Sequence, residues 1–154
     1  MATVYSIQKT KWNQNVPSEF IKTNEQSGRV RVAYGEYEAS SLTAGDVIQM
    51  FNIPNGARLV DGYLFNDALG ASTTLSVGYA AHTNSSGATV ALSATAYLAA
   101  TSTSSAGRND VLSTLALNGG SVVDANQDGV PFTCTLAGGN ATGTIVLIVR
   151  YVVD

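Results

Sequence analysis

An all-β fold is predicted for this 154-residue chain: an antiparallel β-sandwich of jelly-roll type, preceded by an extended N-terminal arm. Three features carry the prediction. Apolar and polar residues alternate at period two in most segments after residue 28, the spacing of a strand with one buried face. Turn signals separate seven or eight such runs at near-regular intervals, a pattern that favours sandwiches and barrels. Sustained 3.6-residue periodicity is missing, and no internal repeat suggests a propeller or solenoid.

Residues 1–27 are read as an extended arm, with a partly ordered terminus folding back on its own domain as the alternative, and residues 28–154 as the sandwich domain. In the arm, Trp12, Val16, Phe20 and Ile21 stand isolated among Gln, Asn, Lys and Thr. From Arg29 the pattern changes: Val30, Val32 and Tyr34 alternate with Arg29, Arg31 and Ala33, and are expected to form a buried face. Leu42–Gly45 is a connection, Asp46–Phe51 a second strand, and Ile53-Pro54-Asn55-Gly56 a turn. Leu59, Asp61, Tyr63 and Phe65 are expected on one face of a third strand, with Val60 and Leu64 on the other. In Thr73–Tyr79, Leu75, Val77 and Tyr79 face in.

His82–Gly87 reads as a loop. Ala88–Ala100 is Ala-rich and is expected to form a short helix, although its Thr and Ser content opposes one. Thr101–Gly107 is a Ser/Thr linker. Strands are expected again at Val111–Leu117, Ser121–Asp124 and Pro131–Leu136, where Phe132, Cys134 and Leu136 alternate with Thr133 and Thr135. The last segment, Thr144–Val153, is apolar on both faces apart from Arg150. Such a strand must lie centrally in a sheet covered on both sides, or press one face on another subunit.

Composition narrows the function. Ala, Thr, Ser, Gly and Asn supply half the chain, and only 12% of residues are charged. That is about half the share usual for globular chains and suits a protein packed against neighbours. With 45% hydrophobic residues and a net charge of −3, disorder is disfavoured. No run of apolar residues spans a membrane, so no membrane partner is expected. Positive net charge, the usual footprint of nucleic-acid binding, is absent. The first residues lack a secretory signal pattern, so synthesis in a cytoplasm is expected. Charge is also divided: residues 1–31 carry five bases against two acids, a balance of +3, while residues 32–154 carry three bases against nine acids, a balance of −6.

Catalytic patterns do not emerge. His82 and Cys134 are the only residues of their types; they read as a loop histidine and a buried strand cysteine rather than a nucleophilic pair. Glu36 and Glu38 share a strand face, as a solvated edge does, and the single Trp argues against a sugar-binding glycosidase cleft. Asp124-Ala-Asn126-Gln-Asp128-Gly129 matches the opening half of a calcium loop, with three oxygen side chains at alternate positions. Its twelfth position is Thr135 instead of Glu, and an Asx-rich turn explains the same residues without metal. No cofactor is expected.

Several segments together carry a resemblance: Gly28–Ala33, Tyr37-Glu-Ala-Ser40, Ile53–Leu59, Asn66–Tyr79, and Gly139–Val146 running into Tyr151–Asp154. Over residues 28–80 and 138–154 the chain resembles small structural proteins of tailed bacteriophages, of the capsid decoration or cement type. The resemblance implies a β-rich, non-enzymatic homo-oligomer, dimer or trimer, bound to the major capsid protein. It would sit on the outer surface of the virion shell, clamping capsomers against internal pressure. On this reading the basic arm lies across acidic capsid surface. Lys9, Lys11, Trp12, Phe20, Ile21 and Lys22 are then the contact candidates. A tail or fibre module binding host glycans would share the β-rich, charge-poor composition and is the competing expectation.

Overall fold

Two four-stranded antiparallel sheets face each other in the computed structural model, which describes residues 4–13, 22 and 25–153. The elements run α1 (Ile7–Asn13), β1 (Val30–Leu42), β2 (Val47–Ile53), β3 (Arg58–Asn66) and β4 (Thr74–Tyr79). After the short β5 (His82–Thr83) and β6 (Thr89–Val90) come β7 (Ser93–Ser102), β8 (Gly107–Val111), β9 (Val130–Ala137) and β10 (Ala141–Val152). The first sheet has the order β1-β10-β3-β8 and the second β2-β9-β4-β7, with β5-β6 as a small hairpin. The chain passes repeatedly between the sheets, as in a jelly roll, and the predicted sandwich is borne out.

The core lies where the inward sets meet. Leu59, Leu64, Ile145, Leu147 and Val149 of the first sheet pack towards Ile53, Leu75, Val77, Phe132 and Leu136 of the second, all fully buried. Cys134 lies among them. Burial pushes its thiol up to about 12 from 9.0, the opposite of what a nucleophilic cysteine needs. Burial, and to a lesser degree Tyr79, also raises the Tyr97 phenol above its ordinary 10.0. Both groups are held neutral in the fold, so stability is full below about pH 9 and falls as pH rises from there. Thermal melts across pH are expected to be flat through neutrality and to drop above pH ~9. A flat alkaline limb would count against this burial.

Six expectations need correction. Ala88–Ala100 is not a helix: β7 extends through it, because backbone pairing with β4 prevails over the weak helix propensity of a Thr- and Ser-bearing segment. Residues 101–107 are no free linker, since β7 and β8 continue to Ser102 and from Gly107, with Thr103 buried between them. The strand expected at Val111–Leu117 ends where Leu112 takes φ 63°, and turns follow, with Thr114 carbonyl accepting from the Leu117 and Asn118 amides. Ser121–Asp124 contributes one bridge, Val122 to Arg58. In β3 a bulge at Val60 places Leu59 opposite Tyr151 and Asp61 opposite Arg150, so Leu59 is buried while Asp61, Tyr63 and Phe65 face out. Lastly, Val30, Val32 and Tyr34 are exposed; the inward face of β1 is Ala33, Gly35 and Ala39.

The arm departs from the extended expectation over Ile7–Asn13, which is helical. Ser6 starts the helix: its Oγ accepts the Lys9 amide at 3.1 Å and its carbonyl accepts the Thr10 amide at 2.9 Å, an N-cap arrangement.

Candidate interaction site

The outer face of the first sheet is built from the strand that the sequence marks as apolar on both sides. In β10, Ile145, Leu147 and Val149 enter the core, while Val146 and Ile148 point out, half-buried, with Arg150 exposed beside them. No element among the described residues pairs with the free edge of β1, and β1 adds exposed Val32 and Tyr34 to the same face. β10 takes the expected central position, but its outer face is not covered by any described element.

Register fixes the face as rows across the four strands. One row runs Glu36, Val146, Phe65, Arg108. The next runs Tyr34, Ile148, Tyr63, Asp110, and a third runs Val32, Arg150, Asp61. Polar groups are paired within the face. Arg150 binds Asp61 through both carboxylate oxygens, the Tyr34 hydroxyl donates to Glu36, and Arg108 lies 3.2 Å from Asp110 and over the Tyr63 ring at 4.8 Å. Arg108 and Asp110 are more than half exposed, so their pair adds little to stability. Glu38 accepts from the Thr144 hydroxyl at 2.7 Å, in keeping with the solvated edge expected for Glu36 and Glu38.

The arm forms a second exposed surface. Helix α1 has no buried residue, and Ile7 and Trp12 are 71% and 63% exposed. Trp12 and Lys9 border a shallow groove of about 290 Å³ shared with Ser6, Gln8 and Gln26. Lys11 lies 3.9 Å from Glu25, and Glu25 lies 3.6 Å from Arg58 of β3, whose guanidinium also donates to the Gly119 carbonyl at 2.7 Å. This chain of charges fastens the arm to one end of the first sheet. The Lys22 carbonyl accepts the Glu25 and Gln26 amides. Phe20 and Ile21, the remaining contact candidates, lie outside the described residues.

The calcium candidates hold backbone amides of two loops. Asp124 accepts the Ser85 amide at 3.0 Å, and Asn126 accepts the Asp128 amide at 3.0 Å while donating to its carboxylate at 3.2 Å. Gly129 closes the turn with φ 76°, an Asx-turn arrangement. Among the described residues no three His, Cys, Asp or Glu side chains group so that they could hold a metal ion.

Sequence reasoning missed a pocket of about 190 Å³ whose lining includes Tyr79, His82, Tyr97 and Asp124. Tyr79 meets the His82 ring edge-on at 5.2 Å, and Tyr97 stacks on Phe132 at 4.3 Å. Hydrogen bonds from Ser85, with His82 nearby, hold the Asp124 carboxyl below its ordinary value. Which tyrosines converge depends on the irregular pairing of β7 with β4, which has no local signature in the sequence.

No protein-family model and no curated protein sequence matches this chain. Among solved structures it is similar to a chain in the capsid of Ralstonia phage GP4, at 23% identity and TM-score 0.65, over 82% of this chain and 86% of that one. It is also similar to a chain in the cyanophage Pam1 capsid asymmetric unit, at 22% identity and TM-score 0.59, over 82% and 86% of the two chains. Likeness at this level establishes a shared fold.

Proposed function

We propose that this chain is a non-enzymatic capsid decoration protein of a tailed bacteriophage. It binds the outer surface of the major capsid protein shell and bridges capsomers. The observation that carries the reading is the arm: a short helix that buries nothing, displays Ile7 and Trp12, and belongs to the basic end of an otherwise acidic chain. A large aromatic held in water gains most by entering a pocket on a partner. The likeness to chains from two phage capsids supports the same reading.

Residues 1–27 carry the shell contact. Removing them is expected to abolish binding to expanded phage heads while the sandwich keeps its circular dichroism and melting behaviour. The arm's described ties to the sandwich are the ion pairs of Glu25 with Lys11 and Arg58, and without them Arg58 keeps its bond to the Gly119 carbonyl. Trp12→Ala in the full chain should weaken binding by about 2 kcal/mol, roughly thirtyfold, and added salt should weaken it further. Full retention of head binding by the truncated chain would overturn the assignment.

The competing reading is a glycan-binding tail or fibre module, and the Tyr79–Tyr97 pocket is the observation in its favour. Copy number in a purified virion separates the two. Hundreds of copies on the head support decoration; a handful on the tail, with retention on a sugar array, supports the module.

A further inference from the structure

We infer that the open face of the first sheet is a twofold interface between two copies of this chain. The order of side chains along its rows is what makes the face self-complementary. Place two such faces against each other about an axis parallel to the strands. Each position on one copy then meets the position reflected across the sheet's midline on the other. Glu36, at the β1 end of its row, meets the partner's Arg108 at the β8 end, and the partner's Glu36 meets Arg108. Between them Val146 meets Phe65. In the next row Tyr34 meets Asp110, so that its hydroxyl exchanges Glu36 for the partner's carboxylate as Arg108 exchanges Asp110 for the partner's Glu36, and Ile148 meets Tyr63. In the third row Arg150 meets Asp61.

The first two rows are therefore complementary to their own reversal, with polar or charged groups at opposite ends and apolar or aromatic residues between; in the third, Arg150 and Asp61 exchange across the axis while Val32 meets no paired residue of β8. Such complementarity is the requirement of an isologous contact, in which residue i touches j and j touches i. Strand directions in the two copies stay nearly aligned, as in face-to-face sheet packing. No other operation is needed, and no side chain is left facing its own charge. Four strands and about five residues of depth give roughly 300–400 Å² of sheet per copy, below the area of stable specific interfaces and in the range of weak, transient ones. The dimer is accordingly weak and concentration-dependent in the free protein. It also carries two arms, so binding through them gains from bivalency, but the pairing itself is independent of what the arms bind.

Sedimentation velocity of the full chain, from micromolar to millimolar concentration and without capsids, tests the assignment. The native chain is expected to pass from monomer to dimer. Glu36→Arg and Arg108→Glu, both at exposed positions, should each weaken the dimer at least tenfold with unchanged circular dichroism. An equimolar mixture of the two variants should dimerise again, because one contact is then the native pair and the other the same pair with its charges exchanged. A native chain that stays monomeric throughout, a dimer indifferent to both single variants, or a mixture that fails to associate would each overturn it. Because no capsid is present, a negative result here leaves the arm's head binding to be judged by truncation alone.

Discussion

Replacing Gly78 with Ala is expected to destabilise the protein by about 3 kcal/mol or more, an extreme case of overpacking. Gly78 lies in β4 beneath an irregularity in β7. Val77 pairs with Leu98 and Tyr79 with Ser93, so four residues of β7 arch over a single residue of β4. A Cβ at Gly78 would lie 1.8 Å from the Ser93 carbonyl oxygen and 2.6 Å from the Ala94 carbonyl carbon. These are backbone atoms, and no rotamer change relieves them. The arch must lift, and Tyr97, which it holds against Phe132 with rings 4.3 Å apart and 8° from parallel, lifts with it. Urea unfolding of Gly78→Ala should show the loss in the midpoint, and near-ultraviolet circular dichroism should show Tyr97 leaving its packed environment. Gly107→Ala is the control: a Cβ there meets nothing within 4 Å, and its effect should stay within a few tenths of a kcal/mol of neutral.

The same arch explains which parts of the fold could be read in advance. Where a strand pairs without interruption, period two is visible in the residues: Phe132, Cys134 and Leu136 of β9 were expected inward and are buried. The central place of β10 was equally legible from its apolar run, although its outer face stays open among the described residues. Where pairing is irregular, the alternation breaks. Three extra residues opposite Gly78 made β7 resemble an Ala-rich helix, and one extra residue at Val60 moved Leu59 to the face opposite Asp61. Leu112 ended a strand early by a backbone angle that nothing in its type announces.

Hydrophobicity failed in a different way at Val30, Val32 and Tyr34. An apolar stripe left exposed on an edge strand has the same alternation in sequence as one that enters the core. The candidate sites divide along the same line. Trp12 was singled out by its isolation and is exposed, whereas its helix rests on a Ser6 cap that was overlooked. The rows of the open face join residues as far apart as Glu36, Val146 and Arg108, and long-range register of that kind has no local signature.

Phe132→Ala should have an effect of similar size by the opposite route, a cavity. Phe132 is fully buried on β9, with Phe51 stacked at 5.7 Å on one strand neighbour and Tyr97 at 4.3 Å. β9 pairs with both β2 and β4, so the ring joins three strands of the second sheet to the core between the sheets. Truncation to Ala removes the ring's transfer free energy and leaves a void that paired strands cannot close. A cost of about 3–5 kcal/mol follows, or a fall of roughly 10 °C in Tm for a domain of this size. Phe132→Leu should recover much of it, since a branched aliphatic side chain refills part of the space. Combination with Gly78→Ala then becomes informative. Both substitutions release Tyr97 from its stack, and that shared loss can occur only once. The double variant should be less destabilised than the two single costs added together, with a coupling on the order of 1 kcal/mol. Strict additivity would mean that the β7 arch and the Phe132 stack are independent, and would remove the argument that Gly78 exists to deliver Tyr97.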